Sequence, residues 1–421
     1  MTEPDAADDP FLWLEDVLGE RALAWVRERN AHSQAILQAR SEFEPIRSAL
    51  LAVMNAKERI PQIARRADFF YNFWQDEQHK RGLWRRTTLD DYRQAAPAWE
   101  TVLDLDALAI AEGENWVWGG SNPLPPACER VLISLSRGGA DAAVVREFDT
   151  VAKAFVEGGF SLPEAKSDVE WIDADSVYVG TDFGPGSLTT SGYPRIVKRW
   201  ARGTPLADAV TVFEAEPDDM SAHASVDTTP GHERTLLVRT IDFYEREYFL
   251  HHSVLLDGTE RRRLDVPGDA EVAFWNSADA PDDTLLIELR SDWAVAGQTL
   301  PSGALVATDA AAYLAGERRF DLLFTPTATR SLAGYTTTRS CVIVNVLDNV
   351  ASRLEEWRRS AHGFTTREIV APFPGTLGAS GLHDPMRADD PLAEHYLLSY
   401  NDFLTPTRSG SRTPAATRAR R

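Results

Sequence analysis

Cysteine is nearly missing. Two occur in 421 residues, Cys128 and Cys341, far apart and in no metal-ligand spacing. That excludes a disulfide framework and fits a reducing compartment, so a cytoplasmic location is expected. Lysine is scarce as well, with Lys57, Lys80, Lys153, Lys166 and Lys198 set against 39 arginines, a bias that suggests GC-rich coding. The formal net charge is −20. A surface that acidic repels nucleic acid and anionic membranes, so neither is an expected partner. No apolar run reaches 18 residues, which excludes a membrane-spanning helix. The opening MTEPDAADDPFLWLED has neither the basic n-region nor the apolar h-region of a secretory signal.

What is present is a strand pattern. Residues 18–57 read as helical, with Ala22, Trp25, Val26 and Arg29 starting a 3.6-residue period. A second helix is expected through IRSALLAVMNA, after Ser41 and Glu44 at capping-box spacing, and Pro61 closes the region. Beyond it the period becomes that of strands. Tight apolar runs recur at 69–75, 130–137, 176–183, 235–244, 284–293, 341–349 and 396–403. Anchored at Phe70, Leu132, Val177, Leu236, Leu285, Val342 and Leu397, they repeat at about 54 residues, in the propeller range. Between anchors there is room for three further strands; RIVKRW (195–200) and VTVF (210–213) are examples. Seven four-stranded units make a seven-bladed β-propeller, an all-β fold, here preceded by a short α-helical segment. The anchor runs are continuously apolar, as suits strands covered on both faces by neighbouring blades.

No catalytic centre emerges from the motifs. A serine hydrolase of the α/β type carries G-x-S-x-G on a strand-turn-helix. The nearest run, Gly378-Ala379-Ser380-Gly381, lacks the spacing and reads as a loop. His251-His252 are adjacent in a strand, so they should point to opposite faces. His223 and His232 flank Asp227 near a turn, and His383-Asp384 precedes Pro385. Each reads as a surface or structurally satisfied histidine. The acidic pairs Asp8-Asp9, Glu15-Asp16, Asp90-Asp91, Asp282-Asp283 and Asp389-Asp390 read as turn chemistry rather than a glycosidase pair. Gly184-Pro185-Gly186-Ser187 opens no helix, which argues against a phosphate cradle. Arg261–Arg263 reads as a solvated strand edge. No catalytic, cofactor-binding or metal-binding residue is assigned.

Several segments together resemble the prolyl oligopeptidase family. DPFLWLED (9–16) is similar to that family's opening. SLSRGGADAAVVREFD (134–149), GGFSLPEAKSDVEWID (158–173) and SGYPRIVKRWARGTPL (191–206) look like the propeller of its bacterial members, and YNDFLTPT (400–407) like its last blade. The resemblance spans residues 8–407. It implies a cytoplasmic serine peptidase that cleaves short peptides, usually after proline, without a cofactor. It also implies a discontinuous α/β-hydrolase domain, with the propeller inserted after an N-terminal helical piece. The family's Ser, Asp and His lie in the C-terminal part of that domain, in that chain order.

These expectations divide the chain into residues 1–62, a helical segment resembling the first part of the peptidase domain; 63–407, the propeller; and 408–421, a basic tail. The tail, RSGSRTPAATRARR, has five arginines, no acid and no Val, Ile, Leu or aromatic residue. It reads as an aberrant, disordered end, from a frameshift or similar truncation, unable to close a blade. The expected function is the substrate-gating propeller of a prolyl oligopeptidase-like enzyme, inactive as this chain because the residues for acyl transfer are absent. The alternatives are a fragment of an active cytoplasmic prolyl endopeptidase and, more weakly, a dedicated binding propeller. Short peptides are the expected partners once a catalytic domain is joined. Self-association through exposed N-terminal helices is also expected.

Overall fold

The computed structural model describes residues 9–412, apart from 17, 253, 256–260, 277–282, 361–362, 372–373 and 406. The chain divides into two compact units, one of residues 1–59 with 75–80 and one of residues 60–74 with 81–421.

The first unit is helical. A short 3-10 turn at Leu12–Glu15 precedes α1 (Glu20–Gln38) and α2 (Phe43–Met54). Trp13 meets Trp25 edge-on at 6.3 Å, and the Arg21 guanidinium sits 4.1 Å over the Trp13 ring. The expected capping box does not form. α2 starts one residue after Glu42, and the Glu44 carboxylate accepts from Arg47 and Ser48 instead of reaching back to Ser41. Pro45 falls in the first turn, where a helix needs no amide donor. Much of the apolar surface of these helices is exposed, including Ile36, Leu37, Ile46, Leu50, Val53 and Met54.

The second unit is a seven-bladed propeller. Each blade is an antiparallel sheet whose main strands are hydrogen-bonded in chain order. The first strands are Ala64–Arg66, Trp116–Pro123, Asp168–Asp173, Ser221–Asp227, Glu271–Trp275, Arg330–Thr337 and Thr376–Gly381. All seven anchor runs are second strands, and RIVKRW and VTVF become the third and fourth strands of blade 3. Blade 2 carries one extra short strand, Ser161–Ala165, and blade 5 an inserted hairpin, Trp293–Val295 with Gln298–Leu300.

The two-residue period of a strand decides how the blades are joined. In Cys341–Asp348, Val342, Val344 and Val346 turn to blade 5, while Ile343 packs with Leu377, Tyr396 and Leu398 of blade 7. In Arg130–Arg137, Val131, Ile133 and Leu135 face blade 1 and Leu132 faces blade 3. Val177 and Val179 likewise face blade 2 while Tyr178 faces blade 4. One strand thus serves two seams, which is why the anchors read as unbroken apolar runs. Burying each such side chain is worth about 1.5–3 kcal/mol. Trp275 adds a polar tie between blades 5 and 6, its Nε1 donating to Thr338 O at 2.9 Å.

The tail departs from expectation. Residues Arg408–Arg412 form the third strand of blade 7, paired with Tyr396–Asn401 from Tyr400↔Arg408 to Tyr396↔Arg412. A ladder is made by backbone N–H and C=O groups, so Arg, Ser and Gly suffice at the outer edge of a sheet where no side chain need be buried. Blade 7 has three strands among the described residues, and the expected disorder of 413–421 lies outside them.

Candidate binding site at the ring mouth

Where the first strands of blades 1, 2, 4 and 7 end, the propeller holds a cavity of about 540 Å³. Its wall combines Arg65, Arg66, Asp227, His383 and Asp384 with the apolar Pro123, Pro125, Pro126 and Met386. At the opposite ends of the first strands, a crevice of about 470 Å³ lies among blades 2, 3 and 4, lined by Lys166, Asp168, Tyr193 and His223.

At the first mouth, blade 1 meets blade 7 through charge. Arg65 Nη1 and Nη2 donate to Asp390 Oδ2 and Oδ1 at 2.9 and 2.7 Å, and Nη1 also donates to Leu382 O. His383 Nδ1 lies 3.4 Å from Asp390 Oδ2. Burial pushes the Asp390 carboxyl up, but Arg65 and the amides of Asp384 and Leu392 outweigh it and hold it at about 2. Burial lowers the His383 imidazole against the pull of Asp390. A second buried set joins blades 4 and 5. Arg234 donates to Asp227 Oδ2 (2.7 Å) and Asp283 Oδ2 (2.6 Å), and His232 Nδ1 lies 2.6 Å from Asp283 Oδ1.

These contacts revise the reading of the acidic pairs. Asp390 does make the expected local turn contacts, accepting the amides of Asp384 and Leu392, but it is also the buried ion-pair partner of Arg65, and Asp283 is the buried partner of Arg234. Asp90-Asp91 do lie at a chain reversal, in the short helix Leu89–Tyr92 capped by Thr88. Asp8 lies outside the described residues. Gly378–Gly381 is not a loop but part of the first strand of blade 7. A Cβ on Gly381 would stand 2.0 Å from Thr337 O, so glycine there permits the first strands of blades 6 and 7 to approach. His251 and His252 do not diverge. The strand ends at His251, His252 takes φ 43°, and the two rings meet at 3.7 Å. Ser187 stays inside its own turn, receiving Phe183 N (2.8 Å) and donating to Gly184 O (2.6 Å). Arg262–Arg263 is the exposed fourth strand of blade 4.

Nothing here forms a base-activated nucleophile. Among the described residues, neither His232 nor His383 has a serine hydroxyl or cysteine thiol as a hydrogen-bond partner, and the carboxylates beside them are also paired with Arg234 and Arg65. Among the described residues, no group of His, Cys, Asp and Glu is placed to hold a metal ion. Nor is any helix among them long and apolar enough to cross a membrane.

Beside the crevice, Glu170 lies two residues along the same strand from Asp168, which lines it. Asn122 Nδ2 donates to Val169 O (3.0 Å) and to Glu170 Oε2 (2.9 Å), tying blade 2 to blade 3. Burial, with Asp168 close by, lifts the Glu170 carboxyl to about 7 despite that hydrogen bond. His223 is pushed down by burial, with Asp168 opposing. Arg66 was not legible as a cavity residue, since it is one of many charged residues in strands.

The sequence model described as "Prolyl oligopeptidase, N-terminal beta-propeller domain" matches residues 1–408. An uncharacterized peptidase of Sinorhizobium fredii is 35% identical over 408 residues, 95% of this chain and 54% of its own. An uncharacterized peptidase of Rickettsia prowazekii is 27% identical over 376 residues, 82% of this chain and 50% of its own. The chain therefore spans about half the length of the curated relatives it matches. Among solved structures, a post-proline cleaving enzyme from Rickettsia typhi superposes with a TM-score of 0.85 at 25% identity, over 97% of this chain and 59% of that one. Oligopeptidase B from Leishmania major shares the fold at 13% identity, with a TM-score of 0.69 over 96% of this chain and 54% of that one.

Proposed function

This chain belongs to the prolyl oligopeptidase family, and from that premise we propose that its 421 residues are the substrate-gating propeller portion of a peptidase acting on short proline-containing peptides. The observation that carries the reading is the cavity at the ring mouth, whose walls come from four blades and combine proline faces with charged groups. A site of that size admits a few residues of extended chain and excludes a folded domain.

The same residues perform no hydrolysis by themselves. Acyl transfer needs a nucleophile, a base and oxyanion donors held together. The sequence has no G-x-S-x-G, and His232 and His383 face carboxylates already paired to arginine. The exposed apolar faces of α1 and α2 are surfaces for a further protein domain, the catalytic portion in this reading; self-association through them is the rival occupant. A cytoplasmic setting accords with two free cysteines, one of them buried.

The test is incubation of the purified chain with a chromogenic prolyl peptide and, separately, with a serine-reactive phosphonate. Neither turnover nor labelling is expected, while calorimetry should detect binding of short proline-containing peptides. Turnover or labelling above background removes the claim of inactivity, and absence of peptide binding removes the claim of gating.

A further inference from the structure

Arg65 and Arg66 are neighbours in the first strand of blade 1, yet only one has a carboxylate. Arg65 is held by Asp390. Arg66 donates Nη2 to Ser121 O at 3.0 Å, and its Nη1 is enclosed with no hydrogen-bond partner. The Tyr71 and Trp84 rings stand 5.3 and 5.5 Å from its guanidinium carbon. Burial pulls its pKa below the usual arginine value, with Cys128 and Tyr71 opposing, and a guanidinium so placed still remains a cation at neutral pH. A buried donor without an acceptor is costly and uncommon in folded proteins, so it calls for an explanation.

Arg66 also lines the mouth cavity. We infer that this cavity is a carboxylate-binding site with Arg66 as its cation, and that its ligand is a short peptide held by its α-carboxylate or by an acidic side chain. The inference rests on the peptide-gating reading above.

Three features favour that chemistry. A guanidinium is the side chain best matched to a planar carboxylate. Pro123, Pro125 and Pro126 give apolar contact to the residue that bears it. Two acids share the wall, but Asp227 is taken by Arg234 (2.7 Å) and Asp384 accepts Met386 N (3.1 Å). With Arg65 paired to Asp390 and Asp227 to Arg234, the wall is left with one cation, Arg66, and one acid, Asp384, a balance that suits a monoanion better than a phosphate dianion.

The experiment is calorimetric titration of the 421-residue chain with three versions of one proline-containing pentapeptide: the free acid, the C-terminal amide, and the amide with a glutamate in place of its last residue. The free acid should bind about tenfold or more tightly than the plain amide. Arg66→Gln should abolish that preference and Arg66→Lys restore part of it. Tight binding of the glutamate amide supports the site with a side-chain carboxylate as its ligand; weak binding supports it with the α-carboxylate. Equal binding of free acid and plain amide to the unmodified chain overturns the inference and leaves gating intact, whereas no binding of any peptide overturns both. If Arg66→Gln does not fold, the comparison on the unmodified chain decides alone. An acid preference retained in a variant that melts like the unmodified chain also overturns it.

Discussion

Arg65 and Asp390, 325 residues apart, form a two-point ion pair that links the first blade to the last. Six blade junctions have a buried apolar cluster, and none of those clusters among the described residues joins blade 7 to blade 1. Arg387 with Asp68 adds an exposed pair at the same junction.

Removing one partner of the pair should therefore destabilise the ring strongly. Asp390→Asn or Arg65→Ala should cost about 3–5 kcal/mol, because a buried charge is left alone. The double substitution Arg65→Met with Asp390→Leu should regain most of that loss. Urea unfolding of the unmodified chain and the three variants measures it, and a double variant no more stable than either single one contradicts the mechanism.

The same pair predicts acid behaviour. The Asp390 carboxyl is held at about 2 in the folded chain, below the usual carboxylate value. Its contribution is fully present above the unfolded pKa and is lost as pH falls through about 2. The difference in stability between the unmodified chain and Asp390→Asn should be constant from pH 5 to 8 and shrink below pH 4.

Glu170 has the opposite sign. Its carboxyl titrates near 7 when folded, so the folded state binds the extra proton between about 4.5 and 7, and stability falls as pH rises through that window. Glu170→Gln keeps the acceptor for Asn122 and should be more stable than the unmodified chain at pH 8 by about 1–2 kcal/mol, with no gain at pH 4. Thermal melts across that range test it.

The helical unit makes a separate prediction. Leu50, Val53 and Met54 expose 60, 67 and 66% of their surface, enough for an apolar patch that binds protein or dye. Leu50→Glu with Val53→Glu should lower binding of a hydrophobic dye and any sedimentation-detected association, leaving the propeller's melting unchanged. Limited proteolysis should cut within residues 1–59 before any blade.

In the interior, Leu286→Ala should cost about 2–5 kcal/mol, since Leu286 is fully buried in the junction of blades 5 and 6. An equilibrium denaturation midpoint close to that of the unmodified chain would contradict that packing.

The blades were legible because each second strand must bury both faces, which forces an apolar run that recurs at a fixed period. Val342 to Val346 announce themselves this way. Arg65 and Asp390 do not, because nothing in a single sequence couples two charges across the whole ring. Asp283 was misread for the same reason, its partner Arg234 lying 49 residues away. The tail was misjudged on a different ground. Side-chain propensity says little about an outermost strand, whose backbone ladder tolerates Arg408, Ser409 and Gly410.

The alternation along the second strands has a thermodynamic corollary. Each blade packs chiefly on its two neighbours, the Thr228–Met386 contact across the mouth aside, so the ring approaches a linear array of repeats whose stability is a sum of nearest-neighbour terms. Six junctions hold a buried apolar cluster beside their polar ties, whereas among the described residues the seventh rests on ion pairs without one, so the array behaves as an open chain with its ends pinned. Unfolding should nucleate at the pinned ends, and amide exchange should rise from blade 4 outward in both directions along the sequence.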